Sequence, residues 1–306
     1  MRWCLAVYYR KFLSRLTHTR SRVSAFQRRW DRVEAPLLLG PLVYTGSHRE
    51  VKSILDMSSM KSGPTSIGAF KPDLPRIDGA CPKLHLPRLA ELGRLSRCLD
   101  TEFLDDPSLP EDAVAQAYRE LQRTHRWLGN TAAVLGLLRQ NPIPIRSVLD
   151  IGCGHGALLL EIRRRLGAEV IGFDLRKASA AAPVPILTGN AVTETLPRAD
   201  VAIAVYMAHH LSGGDLIRLI RNVSCSCRRF IVLDLVRHRL PLALFRGFVC
   251  PFLGSLNAKD GATSIRRSYT PQEMRCVVDT ALDGLGGEVR HTVAPFYIRQ
   301  VVDISW

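Results

Sequence analysis

No stretch of this 306-residue sequence runs to about 18 apolar residues, so nothing in it reads as a membrane-spanning helix. The longest apolar segment, residues 240–256, is interrupted by Arg246, Gly247 and Pro251 and reads as a buried or substrate-facing helix. Paired metal-binding cysteines are also missing. None of the eight cysteines stands in a CxxC pair, and neither Cys225-x-Cys227 nor the looser grouping of Cys81, His85 and Cys98 has the spacing of a zinc site, so no metal is expected. A chain of this size needs no disulfide staples, and singly scattered cysteines fit a reducing setting, read here as cytoplasmic. The sequence has no internal repeat.

Acidic residues are scarce at the start. Residues 1–30 hold eight Lys and Arg and no Asp or Glu, and the first 100 residues hold 18 basic against 8 acidic residues, an excess of +10 out of the chain's +14. That composition suits a transit peptide or a membrane-surface helix. The plainer alternatives, a disordered basic tail or sequence translated from too early a start, are favoured because residues 35–100 lack periodicity and are punctuated by proline and glycine. The remaining two-thirds is nearly neutral, so no nucleic-acid partner is expected for it.

Order begins after residue 100. Pro110 opens a helix whose Val114, Tyr118, Leu121 and Leu128 recur at helical spacing, with Gly129 placed to end it, and a second helix runs from Ala132 to Leu138. From Ser147 onward short apolar strands alternate with amphipathic helices, which implies a parallel sheet covered on both faces. Residues 288–305 read as a terminal hairpin, preceded by a helix whose Thr270-Pro271-Gln272-Glu273 start is a capping box. The expected organisation is a basic extension over 1–100, a helical cap over 101–141 and the main domain over 142–306. Its fold class is α/β, a Rossmann-like, doubly wound, mainly parallel seven-stranded sheet with a terminal antiparallel hairpin.

The chemistry gathers at strand ends. The first strand runs into LDIGCGHGA, in which Gly152, Gly154 and Gly156 form a turn that lets the backbone approach a ligand closely. Gly152, Gly154 and Ala157 also match the dinucleotide pattern G-x-G-x-x-A, so the turn alone leaves an NAD-dependent oxidoreductase open. Asp150 weighs against it, because a carboxylate there would repel a pyrophosphate but suits the cationic amino group of S-adenosylmethionine (SAM). A Tyr-x-x-x-Lys proton relay is also absent. Asp174, ending the next strand, can accept hydrogen bonds from two ribose hydroxyls, and the side chain of Asn190 in Gly189-Asn190-Ala191 can meet an adenine edge.

Over about residues 105–306 these motifs resemble the class I SAM-dependent methyltransferases. The resemblance implies that Asp150, Gly152 and Gly154 hold the methionyl end of SAM, Asp174 the ribose, and Asn190 with Ala191 the adenine side, where Asp is commoner than Asn. MAHHLS at residues 207–212 is similar to a loop of ubiquinone and menaquinone methyltransferases. LDLVRHRL and DGATSIRRSYTPQEM are similar to a bacterial subgroup associated with polyketide and phenol modification.

The expected acceptor is therefore a small aromatic, polyketide or quinone-like molecule methylated on oxygen. His209 or His210 is the candidate general base, with turnover falling as pH drops through about 6.5. Tyr206, Asp234, His238, Arg266 and Arg267 are the candidate acceptor-site residues. A non-catalytic binding protein on the same fold would need a damaged SAM motif, and Asp150, the glycines and Asp174 are intact.

Overall fold

The computed structural model describes residues 42–47, 93–106, 108–140, 144–177 and 182–306, all within one compact unit, Pro41–Trp306. The readings for the basic residues 1–30, and for most of the segment up to 92, fall outside the described residues. In chain order the elements are β1 (Leu42–Ser47), α1 (Glu111–Trp127), α2 (Asn130–Arg139), β2 (Ser147–Ile151), α3 (Ala157–Leu166), β3 (Glu169–Asp174), β4 (Ile186–Thr188) and β5 (Ala199–Val205). They continue with α4 (Gly213–Ser224), β6 (Cys227–Asp234), α5 (Arg239–Leu244), α6 (Ser255–Arg267), α7 (Pro271–Leu282), β7 (Glu288–Val293) and β8 (Gln300–Ser305).

The strands form one sheet in the order β1-β7-β8-β6-β5-β2-β3-β4. β2 through β6 run parallel, and β7 and β8 form the antiparallel hairpin, with β8 seated against β6. These seven strands are the expected ones. An eighth, β1, pairs antiparallel with β7 from Leu42↔Val293 to Ser47↔Glu288. An edge strand is joined through its backbone on one side only, so it needs no apolar alternation to announce it.

Strand alternation divides the core. Leu149 and Ile151 of β2 join Leu216, Ile220, Val277 and Leu282 from α4 and α7 on one face, whereas Val148 joins Val134, Leu138, Leu159 and Ile162 from α2 and α3 on the other. Caps match the sequence signals: Gly129 takes φ 74° between α1 and α2, and Thr270 with Glu273 forms both hydrogen bonds of the capping box on α7.

β2 is the hinge of the topology. The chain leaves it toward β3 and β4 on one side and returns to β5 on the other, so a crevice opens at the carboxyl ends of β2 and β5. The glycine turn after β2 and the loop 206–210 after β5 both border it.

Residues 93–100 pack on this domain. The Arg97 guanidinium donates to Arg267 O (2.7 Å) and Leu211 O (2.9 Å) and lies 4.0 Å above the Tyr269 ring; Cys98 N donates to Arg266 O, and Arg237 Nε to Leu95 O. A chain starting at Leu92, which lacks β1 alone of the described elements, is expected to melt several degrees above one starting at Thr101, which loses these contacts as well. Hydrogen bonds from charged donors are worth about 1.5–3 kcal/mol each, and each kcal/mol moves the midpoint by roughly 2–4 °C at this size. Equal melting curves for the two truncations would show that these contacts stabilise nothing.

Candidate active site

The crevice is built from the end of β2 outward. Gly152 and Gly154 have φ values of 72° and 53°, a left-handed conformation that favours glycine. Space is as limiting as conformation: a Cβ on Gly152 would lie 2.4 Å from Met207 Cγ, and one on Gly154 2.7 Å from the Tyr118 ring. The turn is also tied to β3. Gly154 N donates to Asp174 Oδ2 at 2.8 Å, and Arg176 N to Asp174 Oδ1 at 2.9 Å. Each carboxylate oxygen of Asp174 keeps a further lone pair for a hydroxyl.

Asp150 is 2% exposed, and its Oδ1 has no hydrogen-bond partner among the described residues. Burial, with the Asp174 charge as a second cause, pushes its carboxyl well above the usual carboxylate range. A buried carboxyl left short of a partner beside a glycine turn is a ready seat for an ammonium group, so these residues fit the methionyl end of SAM. Asn190 Oδ1 accepts from Val192 N at 3.0 Å, and Ala191 O accepts from Asn222 Nδ2 at 2.8 Å, shaping the turn after β4.

A helical cap lies over the turn. Tyr118 of α1 reaches Gly154 and sets its ring 4.3 Å from that of His155. Two residues further along, Glu120 accepts from Gly254 N and Asn257 Nδ2, tying α1 to α6. Residues 103–105 are pinned by Asp260, which accepts from Phe103 N and Leu104 N.

On the β5 side the chain turns at Tyr206, a non-glycine residue at φ 55°, a strained value of the kind that collects at functional sites. Tyr206 is half-buried, with its ring 4.7 Å from that of His125, and burial pushes its phenol upward. His209 and His210 follow in a 3-10 turn, with ring centroids 4.4 Å apart. His209 is 3% exposed. Its Nδ1 is 2.7 Å from Asp234 Oδ1 and its Nε2 3.4 Å from Glu102 Oε1, while its backbone N–H donates to Asp234 Oδ2. His210 is more open: Nδ1 lies 3.3 Å from Asp105 Oδ2 and Nε2 3.7 Å from Glu102 Oε2.

Burial opposes a charge on His209, but Asp234 and Glu102 outweigh it and raise the ring to about 10. It is an imidazolium at neutral pH, so the expected fall in turnover near 6.5 does not come from His209. The same pairing holds Glu102 below its ordinary value against the pull of burial, and Asp105 is held at about 2 by His210 and Arg267 against the same pull.

The structure draws Asp234, Tyr206 and Arg267 to this crevice but separates His238 and Arg266 from it. His238 caps α5, its Nδ1 accepting from Leu240 N at 3.1 Å, and stacks on Tyr297. Arg266 is exposed at the end of α6, whereas Arg267, its neighbour, reaches Asp105 at 3.3 Å. Glu102 and Asp105 were missed by sequence reasoning: they stand in an irregular segment with no motif around them.

Comparison with known proteins bears on the domain type. Residues 117–229 match the methyltransferase domain family. The matched segment, from α1 into β6, is a SAM-dependent methyltransferase domain of class I. A 112-residue stretch, 30% of this chain, is 30% identical to the indolepyruvate C-methyltransferase of Streptomyces griseus and spans 34% of that protein's length. Among solved structures, the plantazolicin methyltransferase BpumL, in complex with a pentazolic desmethylPZN analog and SAH, aligns with a TM-score of 0.50 at 15% identity, over 66% of this chain and 92% of that one. BamL, with a triazolic analog and SAH, gives 0.50 at 14% identity, over 65% and 92%. At these identities the likeness speaks for the fold alone.

Asp150 makes cofactor affinity depend on pH. A carboxyl raised in the folded chain costs stability as pH climbs from its unfolded value of about 3.8 through its raised one, and a bound ammonium offsets that cost. SAH affinity is therefore expected to be weak in acid and to rise to a plateau as Asp150 ionises. Calorimetric titration across that range checks it, with Asp150→Asn expected to weaken binding and flatten the profile. An identical slope in wild type and Asp150→Asn would remove Asp150 from the site.

Proposed function

We propose that this protein methylates a small, mostly apolar, aromatic or polyketide-like acceptor on oxygen. The observation that carries the reading is the meeting, at one crevice, of an intact SAM turn with a histidine pair flanked by carboxylates. When bound, SAM supplies an electrophilic sulfonium methyl. Asp150, Gly152, Gly154 and Asp174 would hold it, and the Asn190 turn would close the adenine side.

The chain's own contribution is chiefly orientation, since in-line displacement requires little covalent help from the protein. His209, locked between Asp234 and Glu102, fixes the loop. His210, the more open ring, is the residue that meets the acceptor hydroxyl. The apolar side of the acceptor would lie against residues 240–256, where Pro241 and Leu242 are buried and the chain passes from α5 into a π turn at Phe245–Val249.

Phenolic and polyketide acceptors incubated with full-length protein and SAM, with the products read by mass spectrometry and NMR, test the proposal. A methoxy product supports it. A second reading, transfer to an enol carbon, draws on the relative named for C-methylation of indolepyruvate, and a new carbon–methyl bond would decide for it. Binding of NAD without SAM would sink both.

A further inference from the structure

We propose that Glu102, His209 and His210 form a binding site for one divalent transition-metal ion, of the kind held by zinc or ferrous iron sites. One carboxylate oxygen and one ring nitrogen from each histidine lie within 4.8 Å of one another. Two histidines and one carboxylate are a common donor set for such ions and leave coordination positions open for oxygen ligands.

The distances favour a shared ion over direct pairing. His209 Nε2 to Glu102 Oε1 is 3.4 Å, and His210 Nε2 to Glu102 Oε2 is 3.7 Å. Both are long for a hydrogen bond, which sits at about 2.7–3.2 Å. Glu102 turns one oxygen to each ring, Oε1 to His209 and Oε2 to His210, and a donor set within 4.8 Å leaves room for one ion with bonds of about 2.0–2.2 Å. The outer nitrogens behave differently: His209 Nδ1 is 2.7 Å from Asp234 Oδ1, and His210 Nδ1 is 3.3 Å from Asp105 Oδ2. Each imidazole thus has a carboxylate behind it and a shared carboxylate in front, the carboxylate–histidine–metal arrangement that orients metal ligands. Ser264 Oγ donates to Glu102 Oε1 at 2.7 Å, fixing the third ligand in the same way.

Charge points the same way. Among the described residues, Glu102, Asp105 and Asp234 touch the two rings, and one guanidinium, Arg267, stands against them at 4.0 Å from Glu102 and 3.3 Å from Asp105. With both imidazoles neutral, as metal ligation requires, three carboxylates against one guanidinium leave a deficit that a divalent cation fills. The ion would sit between the two rings and Glu102, in place of the proton on His209.

The site lies beside the proposed acceptor, so its variants could lose turnover for either reason, and metal binding is read directly instead. Full-length protein stripped with chelator is titrated with Zn²⁺ alone by calorimetry and with Co²⁺ alone by visible absorption. One saturable ion per chain is expected. Glu102→Gln and His210→Asn should abolish it, and Asp105→Asn, at a side chain 41% exposed, should weaken it about 10–100-fold. Asp174→Ala, which removes the proposed ribose ligand, should leave metal binding in place, separating this inference from the methyl-transfer reading. Should Glu102→Gln fail to fold, as judged by circular dichroism, the His210 and Asp105 variants decide. No saturable binding by the wild type, or binding that those variants leave unchanged, overturns the site.

Discussion

Asp174→Ala should reduce SAM and SAH affinity by about 10²–10⁴-fold. The two ribose hydroxyls of such a ligand would each donate to a carboxylate oxygen, and hydrogen bonds to a charged group are worth about 1.5–3 kcal/mol apiece, with 1.4 kcal/mol per tenfold. The side chain also holds the turn itself, accepting from Gly154 N and Arg176 N, so its loss loosens the cradle along with the ligand contact. Calorimetry with SAH on wild type, Asp174→Ala and Asp174→Asn measures this, the Asn variant keeping one acceptor oxygen and so an intermediate affinity. A loss of less than about tenfold in the Ala variant would mean that the ribose does not sit here.

The two neighbouring histidines should fail in opposite ways. His209→Ala leaves Asp234 and Glu102 facing each other across an emptied, water-poor site, and breaking a buried ion pair costs about 3–5 kcal/mol, so the expected result is a large fall in stability. His210, with a side chain 29% exposed, can be removed with little structural cost. His210→Ala is instead expected to keep its melting curve and its SAH affinity while turnover of the true acceptor drops by roughly 10²–10⁴. Thermal denaturation and single-turnover rates on both variants separate the two roles. A folded, inactive His209→Ala beside a fully active His210→Ala would reverse the assignment.

How much of this was legible in the residues can be argued element by element. The alternation of SVLDI, EVIGFD and ADVAIAV with helical segments is set by near neighbours, because a strand buried on both faces must be apolar throughout and a covering helix must carry one apolar stripe. The LDIGCGHG turn was equally plain, since positive φ at Gly152 and Gly154 is a local demand that the sequence meets with glycine. The helix caps at Gly129 and Thr270 obey the same short-range rules.

His209 looked like one histidine of a pair, with nothing to set it apart from His210. What distinguishes them is the company each keeps: Asp234 arrives from the end of β6, and Glu102 from a segment whose other partner, Ser264, is 162 residues away along the chain. Arg266 and Arg267 were likewise indistinguishable as candidates, because which of two adjacent arginines faces inward depends on how the end of α6 is turned against residues 97–105.

The sequence by itself determined the parallel sheet, its terminal hairpin and the glycine turn after β2, for these follow from periodicities and turn conformations spanning a few residues. Only the tertiary structure decided that Glu102, Asp105, His209, His210 and Asp234 meet, and that residues 93–100 pack on the domain. Those contacts join points far apart in the chain, and a lone carboxylate or arginine in an irregular segment carries no mark of the partner it will find.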